Sequence, residues 1–500
     1  MNNLFDVFII GGGINGCGVA RDAAGRGYSV YLAEKSDIAS GTSSASSKLI
    51  HGGLRYLENY EFSLVRASLR ERDILINIAP HIIKEMRFIL PYHKNLRPVW
   101  LLKLGMLLYD NLYSSKHIKR SSYFKIPFHE SKSTLTEAFN KGFEYSDCIT
   151  DDARLTVLNA ADAKRLGGDI NTRTIVKNIE QKKGVWNIEV MDTISNETKY
   201  VRAKVVVNAT GPWVDSFLNN HSKQTKFDNI RLVKGSHIVV KKLFNHSHAY
   251  IFQNGDGRVF FAVPWENEFT FIGTTDVDFI GDLDNFSASD DEINYLCKSA
   301  NQYFRSDISS NDVIKHWSGV RPLYQDGSKK AQKASRDYII KEDSRDNKSA
   351  LINIFGGKMT TFRQLSEEVA DKVGSILGEK KSPWTSDVHL PGGDFLLTEK
   401  TKIVDSLAKK YEYLDLDYIQ RLFNLYGTRV EYILKNVSST KDLGLHFGRD
   451  LYQVEVDYLM QEEFALCPED VLERRTKLYL FLDYDKIENL DNYMKNKKEG

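Results

Sequence analysis

Three glycines, Gly11, Gly13 and Gly16, form a G-x-G-x-x-G pattern inside "FDVFIIGGGINGCGVARDAAGRGYSVYLAE", and Glu34 closes that stretch. Glycine at these places permits a tight turn, close approach of backbone to a pyrophosphate, and packing of helix against strand. A helix that starts there adds N–H donors and a partial positive charge facing the anion. Glu34 falls at the distance at which a carboxylate hydrogen bonds a ribose 2′-hydroxyl, and it would repel a 2′-phosphate. The chemistry on offer is the holding of a dinucleotide, with Ile14 and Asn15 in the same turn. A second stretch, "SGTSSASSKLIHGGLRYLE", is dense in hydroxyl donors that could hold a pyrophosphate and a ribityl chain. A third, "FGGKMTTFR", sets Lys358 and two threonines at a Gly-Gly turn.

These residues need a scaffold. Residues 5–10 read as a buried parallel strand, 15–26 as a helix and 29–33 as a second strand. "AKVVVNATGPWVD" places a β-branched run before a Gly-Pro turn, and "ALINIFGGKMTTFRQLSEEVADKV" repeats the device, with Phe362, Leu365, Val369 and Val373 at helical spacing. Three strand ends, remote in sequence, therefore converge on one ligand. Residues 171–341 carry strand-like runs such as "SHIVV", "RVFFAVPW" and "FTFIGTTDVD", the pattern of an antiparallel layer over the substrate. After the connector "GEKKSPWTSDVHLPGGD", residues from Phe395 onward show long apolar-periodic segments and few strand signals, which predicts a helical domain. A chain of 500 residues exceeds what one core supports.

Charge excludes some partners. Lys plus Arg number 68 against 67 Asp plus Glu, so no global field attracts nucleic acid. Cys17, Cys148, Cys297 and Cys467 are far apart and lack metal-ligand spacing, which predicts no metal site and a reducing cytoplasm. The first apolar run ends at Gly11, too short for a signal peptide. The longest, "VWLLKLGMLLY" at 99–109, contains a lysine and is well short of the ~20 residues of a membrane span. It bears Trp100 and Tyr109 and is flanked by Arg97 and by Lys116, His117, Lys119 and Arg120. The segment suits either a core helix or one lying in a membrane interface, and Arg474, Arg475 and Lys477 offer an alternative basic face.

The hydroxyl-rich loop resembles the flavin-embracing loop of the aerobic, membrane-associated FAD-dependent glycerol-3-phosphate dehydrogenases. The resemblance runs colinearly through "KGFEYSDC", "DDARL", "VVNATGPWVD", "LVKGSHIVV", "IGTTDVD", "SGVRPL", "SRDY", "FGGKMTTFR" and "LPGGD". It implies an α/β fold: a Rossmann-like, glutathione-reductase-like FAD domain, a D-amino-acid-oxidase-like antiparallel substrate domain and an all-α C-terminal domain. The corresponding division is 1–394, with FAD-binding segments near 1–60, 150–215 and 345–380 interleaved with substrate segments near 61–149 and 216–344, then 395–500.

The resemblance also implies roles. Arg55, Tyr56, Arg321, Arg336 and Lys358 match substrate-site positions; arginine grips phosphate through its planar fork, lysine as a mobile point charge. His51, His237 and Lys358 are candidates for the base, and Arg321 joins them as catalytic. Noncovalent FAD would rest on Gly11, Gly13, Ile14, Asn15, Gly16, Glu34, Thr42, Ser43, Ser44, Ser47, Leu49, Ile50, Gly211, Gly357, Lys358, Met359 and Thr360. The implied reaction oxidises glycerol 3-phosphate to dihydroxyacetone phosphate and passes electrons to a membrane quinone, at the inner face of the cell membrane; whether the chain forms a homodimer stays open. Two alternatives remain at this point, an oxidase that reduces oxygen and a noncatalytic FAD-bound interaction protein.

Overall fold

The computed structural model describes residues 4–221, 227–325, 336–346 and 349–499. The strand Leu4–Ile10 lies parallel between Val30–Ala33 and Thr198–Asn208, and the latter lies parallel to Ser349–Gly356. Val7, Phe8 and Ile9 are buried because both faces of this sheet are covered, which is why the run is apolar and not alternating. The helix Ile14–Gly25 packs on one face beside Asp152–Arg165 and Phe362–Leu377. Its Val19, Ala20, Ala23 and Ala24 are small enough for close approach, and together with Leu365, Val369 and Val373 they form one core. The carboxyl ends of three parallel strands thus meet, the place where doubly wound sheets bind ligands.

A second sheet of ten strands runs from Val277–Asp278 through Ile230–Lys241, Phe269–Gly273, Val259–Trp265, Ala249–Gln253, Ile83–Pro91 and Lys141–Thr150 to Leu49–Ile50. Its last member belongs to the hydroxyl-rich loop, so that loop bridges the two sheets. The strands Thr174–Lys182 and Val185–Asp192, and also Tyr338–Asp346, extend the first sheet instead of the second. Strand-like patterning at 171–192 identified strands but not their partners, since period-two alternation says nothing about which sheet they join.

The C-terminal part is built from helices including Lys400–Lys410, Leu416–Tyr426, Gln453–Glu462 and Tyr484–Glu499 around a core of its own, with Ile419, Leu422, Phe423 and Leu459 buried. Ion pairs tie it to the rest: Arg154 to Glu463, Arg173 to Asp470 at 2.8 Å, Lys477 to Asp151 at 2.8 Å, and Arg474 and Arg475 to Asp37. Among the described residues no helix is long and apolar enough to cross a membrane.

Candidate active site

One cavity of about 580 Å³ runs from the glycine turn to the cluster of arginines, within the range of small-molecule sites. At its first end Gly11 adopts φ +108°, and a Cβ there would meet the Ala209 carbonyl oxygen at 2.6 Å; a Cβ on Gly16 would overlap the Gly11 carbonyl. The fingerprint glycines therefore hold strand, turn and neighbouring strand in contact. Ser43 Oγ accepts the Ile14 N–H at 2.9 Å, docking the hydroxyl-rich loop on the helix N-terminus. Glu34 is buried at the wall, its carboxylate accepting the N–H of Gly12 at 2.6 Å and of Ser36 at 2.8 Å. Burial pushes this carboxyl up, and those two N–H groups oppose the shift.

Two acids the sequence reading passed over position the loop. Asp152 takes Lys48 Nζ at 2.8 Å and Ser46 Oγ at 2.7 Å, while Asp151 caps the helix Asp152–Arg165 by accepting the Arg154 N–H at 3.0 Å. The cap alone is worth about 1 kcal/mol. Both acids lie in the quoted "DDARL", which carried the signal; only the fold shows that its work is to hold the loop. Asp147 does the same for the next turn. It accepts Arg72 at 2.6 Å, the Tyr109 hydroxyl at 2.7 Å and the Gly52 N–H at 3.2 Å, fixing the chain beside His51.

At the other end the cations gather. Arg321 donates to Asp276 at 2.6 Å and to Thr274 Oγ1 at 3.1 Å, and Arg336 stands 3.6 Å from the second oxygen of Asp276. Asp276 thus sets the spacing of two guanidiniums, a function nothing in "IGTTDVD" announced. Arg55 donates to the Gly257 carbonyl at 3.0 Å. Lys358 lies 4.0 Å from the Tyr56 ring centre with its buried Nζ lacking a hydrogen-bond partner, and burial lowers its pKa to about 7. His51 lines the same space; burial lowers it to about 4, so it stands neutral at physiological pH.

Gly11, Gly13, Ile14, Asn15, Glu34, Thr42, Ser43, Ser47, Leu49, His51, Arg55, Tyr56, Gly211, Arg321, Arg336, Gly357, Lys358, Met359 and Thr360 all line this cavity. Gly16, Ser44, Ile50 and His237 do not. Gly16 acts beneath the turn; Ser44 Oγ donates to the Gly41 carbonyl at 3.3 Å and faces an adjoining cavity, and Ile50 is fully buried. His237 is fully buried, stacked on Trp317 at 5.1 Å, with Nε2 3.0 Å from Ser47 Oγ. Its reach to the cavity is through Ser47, and burial drives its pKa well down.

The lining fits an extended, anionic, two-ended ligand. The glycine turn lets a ligand approach the backbone closely, and Asn15 Oδ1 and Trp213 Nε1, buried without partners, stand ready for polar atoms. Glu34→Ala should weaken retention of such a dinucleotide while leaving the chemistry of the reconstituted protein intact, measured as bound cofactor after gel filtration and as turnover at saturating cofactor. Full occupancy with impaired turnover would place this carboxylate elsewhere.

Residues 6–358 match the family described as FAD dependent oxidoreductase, and residues 383–494 match the C-terminal domain of alpha-glycerophosphate oxidase. The chain is 44% identical to a D-erythritol 1-phosphate dehydrogenase of Brucella abortus, covering 95% of each chain. It is 42% identical to a glycerol-3-phosphate dehydrogenase of Pseudomonas aeruginosa, covering 99% of this chain and 95% of that one. Its structure is similar to that of a glycerol-3-phosphate dehydrogenase from Bacillus halodurans complexed with FAD, with TM-score 0.77 and 27% identity over 99% of this chain and 94% of that one.

Proposed function

The chain belongs to the FAD dependent oxidoreductases, and from that premise we propose that it oxidises sn-glycerol 3-phosphate to dihydroxyacetone phosphate and delivers the electrons to a membrane quinone. The observation that carries the reading is the cluster of Arg55, Arg321, Arg336 and Lys358 around one end of a cavity whose other end is the dinucleotide turn. FAD held in this cavity would supply the acceptor for a hydride from the substrate carbon. The chain's residues do the remaining work. Arg321 and Arg336, spaced by Asp276, grip the phosphate; Lys358 adds a point charge; His51, neutral and half-buried, takes the hydroxyl proton. The helix Phe362–Leu377, starting just past Thr360, presents its positive end toward the turn that lines the site, where it favours developing negative charge.

The decisive experiment is anaerobic mixing with glycerol 3-phosphate, followed by quinone or oxygen. Loss of the flavin colour supports the substrate, and the faster recovery names the acceptor. D-Erythritol 1-phosphate belongs in the same experiment, because the 44% identical relative bears that substrate in its name. The two share a phosphate monoester on a polyol, so the cationic cluster serves either; reduction faster with the four-carbon substrate would transfer the assignment to it.

Lys358 supplies a signed pH dependence. A lysine that must be charged to hold phosphate loses that role as pH rises through its pKa of about 7. The substrate's second phosphate proton leaves near a pKa of about 6, so kcat/KM should rise through that value and fall above about 7. His51, at about 4, contributes no limb in this range. Lys358→Arg should remove the fall. A kcat/KM that instead rises through about 7 would make neutral Lys358 the base.

For membrane contact, the helix Val99–Leu112 buries Met106 and Tyr109 but leaves Trp100 67% and Leu107 57% exposed, with Leu104 and Leu108 on the same side. It is thus a core helix on one face and an uncovered apolar stripe on the other. Lys116, Lys119 and Arg120 are exposed just beyond it, whereas Arg474, Arg475 and Lys477 are taken up by Asp37, Asp470 and Asp151. Each exposed cation near anionic lipid contributes about 1 kcal/mol. Replacing Lys116, Lys119 and Arg120 together by Gln should reduce sedimentation with anionic liposomes and slow quinone reduction, with soluble-dye turnover unchanged; undiminished sedimentation would move the contact elsewhere.

A further inference from the structure

Three of the chain's 12 histidines meet two glutamates on the substrate domain, and none of the five lines the cofactor cavity. His129 and Glu130 follow the short turn Ile126–Phe128, Glu144 stands on the strand Lys141–Thr150, and His246 and His248 lead into the strand Ala249–Gln253. The rings of His246 and His129 lie 5.7 Å and 5.8 Å from that of His248. Ligand atoms of Glu130, His246 and His248 lie within 4.8 Å of one another.

The contacts around the rings leave two Nδ1 atoms turned toward that point. His129 Nδ1 accepts the Ser131 N–H at 3.2 Å, so its proton sits on Nε2, which donates to Glu144 Oε1 at 2.8 Å. The same Glu144 oxygen lies 3.3 Å from His248 Nε2. His246 Nε2 stands 2.8 Å from the Tyr250 hydroxyl. Nδ1 of both His246 and His248 is left buried without a hydrogen bond, and Nδ1 of His248 faces the Glu130 carboxylate at close range. A nitrogen lone pair turned toward a carboxylate repels it unless a proton or a metal cation lies between them.

We propose that His246, His248 and Glu130 bind a divalent transition-metal ion of the zinc class. Two imidazoles and one carboxylate, with a fourth position open to water, are a ligand set zinc accepts, and the nitrogen donors disfavour magnesium and calcium. Glu144 holds the far sides of His129 and His248, the carboxylate-to-histidine support that orients metal ligands. Glu130 is the exposed member, so its side chain is free to move the short distance that coordination requires. The ion clips the segment around residue 130 to the 242–248 loop, beside strands whose Tyr145, Asp147 and Ile251 line the cofactor cavity. Its role is structural.

The test uses the tag-free, FAD-loaded full chain, stripped of metal and titrated with Zn²⁺ against a chromophoric chelator. One tight equivalent is expected, together with a rise in the temperature of flavin release on adding Zn²⁺. His246→Gln with His248→Gln should abolish both effects, while turnover of zinc-free protein with a soluble dye stays at the wild-type level. Glu130→Gln, at an exposed position that does not threaten folding, should weaken Zn²⁺ by roughly 100-fold. Absence of a tight equivalent in the wild-type protein, or affinity unchanged by Glu130→Gln and by the double substitution, overturns the site.

Discussion

Replacing Arg321 or Lys358 by alanine is expected to lower kcat/KM for glycerol 3-phosphate by roughly 30- to 5000-fold, or about 2 to 5 kcal/mol of transition-state binding, with flavin content retained. Arg321 is anchored by Asp276 and Thr274, so its guanidinium is held in place before the phosphate arrives and little rotamer entropy remains to be lost. Its removal also leaves Asp276 with Arg336 alone, at the longer distance of 3.6 Å, which turns an acid toward the phosphate. Lys358 differs in having no hydrogen-bond partner at its buried Nζ, so a bound phosphate would be the group that satisfies it. The discriminating comparison is an unphosphorylated alcohol of the same length. A phosphate grip predicts losses confined to the phosphorylated substrate; equal losses toward both would assign these residues to flavin or fold instead.

The residues that line the cavity were more legible in the sequence than those that hold them in place. The glycine turn is read from spacing because its chemistry is local, with strand, turn and helix consecutive in the chain. Arg55, Arg321 and Lys358 were reached through the family resemblance, on motifs quoted from the sequence, and Arg321 lies within the strand Lys315–Tyr324. Asp276, Asp147 and Asp152 were passed over although they lie in quoted motifs, because an acid's task depends on which cation the fold brings to it, and Arg72, Lys48 and Arg321 arrive from other elements. His237 shows the converse: its type and motif suggested the base, but the pairing of Ile230–Lys241 between Phe269–Gly273 and the strand Lys315–Tyr324 buries the ring against Trp317. The histidine and glutamate cluster gave no signal at all, since Glu130, Glu144 and His246 are brought together only by sheet topology.

Glu463→Ala is expected to loosen the C-terminal domain by about 3 to 5 kcal/mol, because it leaves Arg154 buried and uncompensated. Both side chains are fully buried, and Arg154 Nη2 donates to Glu463 Oε1 at 3.0 Å and to the Leu425 carbonyl at 3.0 Å, so one guanidinium ties two helical segments of the C-terminal domain to the helix Asp152–Arg165. That helix packs on Ile14–Gly25, whose N-terminus forms the cofactor turn, and its Asp152 holds the loop through Lys48. The readout is hydrogen exchange of Leu416–Tyr426 and Gln453–Glu462 at fixed pH, where 3 to 5 kcal/mol corresponds to roughly 150- to 5000-fold faster exchange if opening is local to the domain. Replacing both partners by apolar residues of similar size, Arg154→Met with Glu463→Leu, should restore much of the protection, since a buried ion pair costs more to break than to substitute. Arg173 with Asp470 is separate from this pair, and Arg475, which pairs with Asp37, also donates to the Glu463 carbonyl, a backbone contact that the substitution leaves in place; both should hold the domain while it loosens. Exchange unchanged in Glu463→Ala would mean that those pairs, and not Arg154, carry the attachment, and would separate the helical domain energetically from the hydroxyl-rich loop.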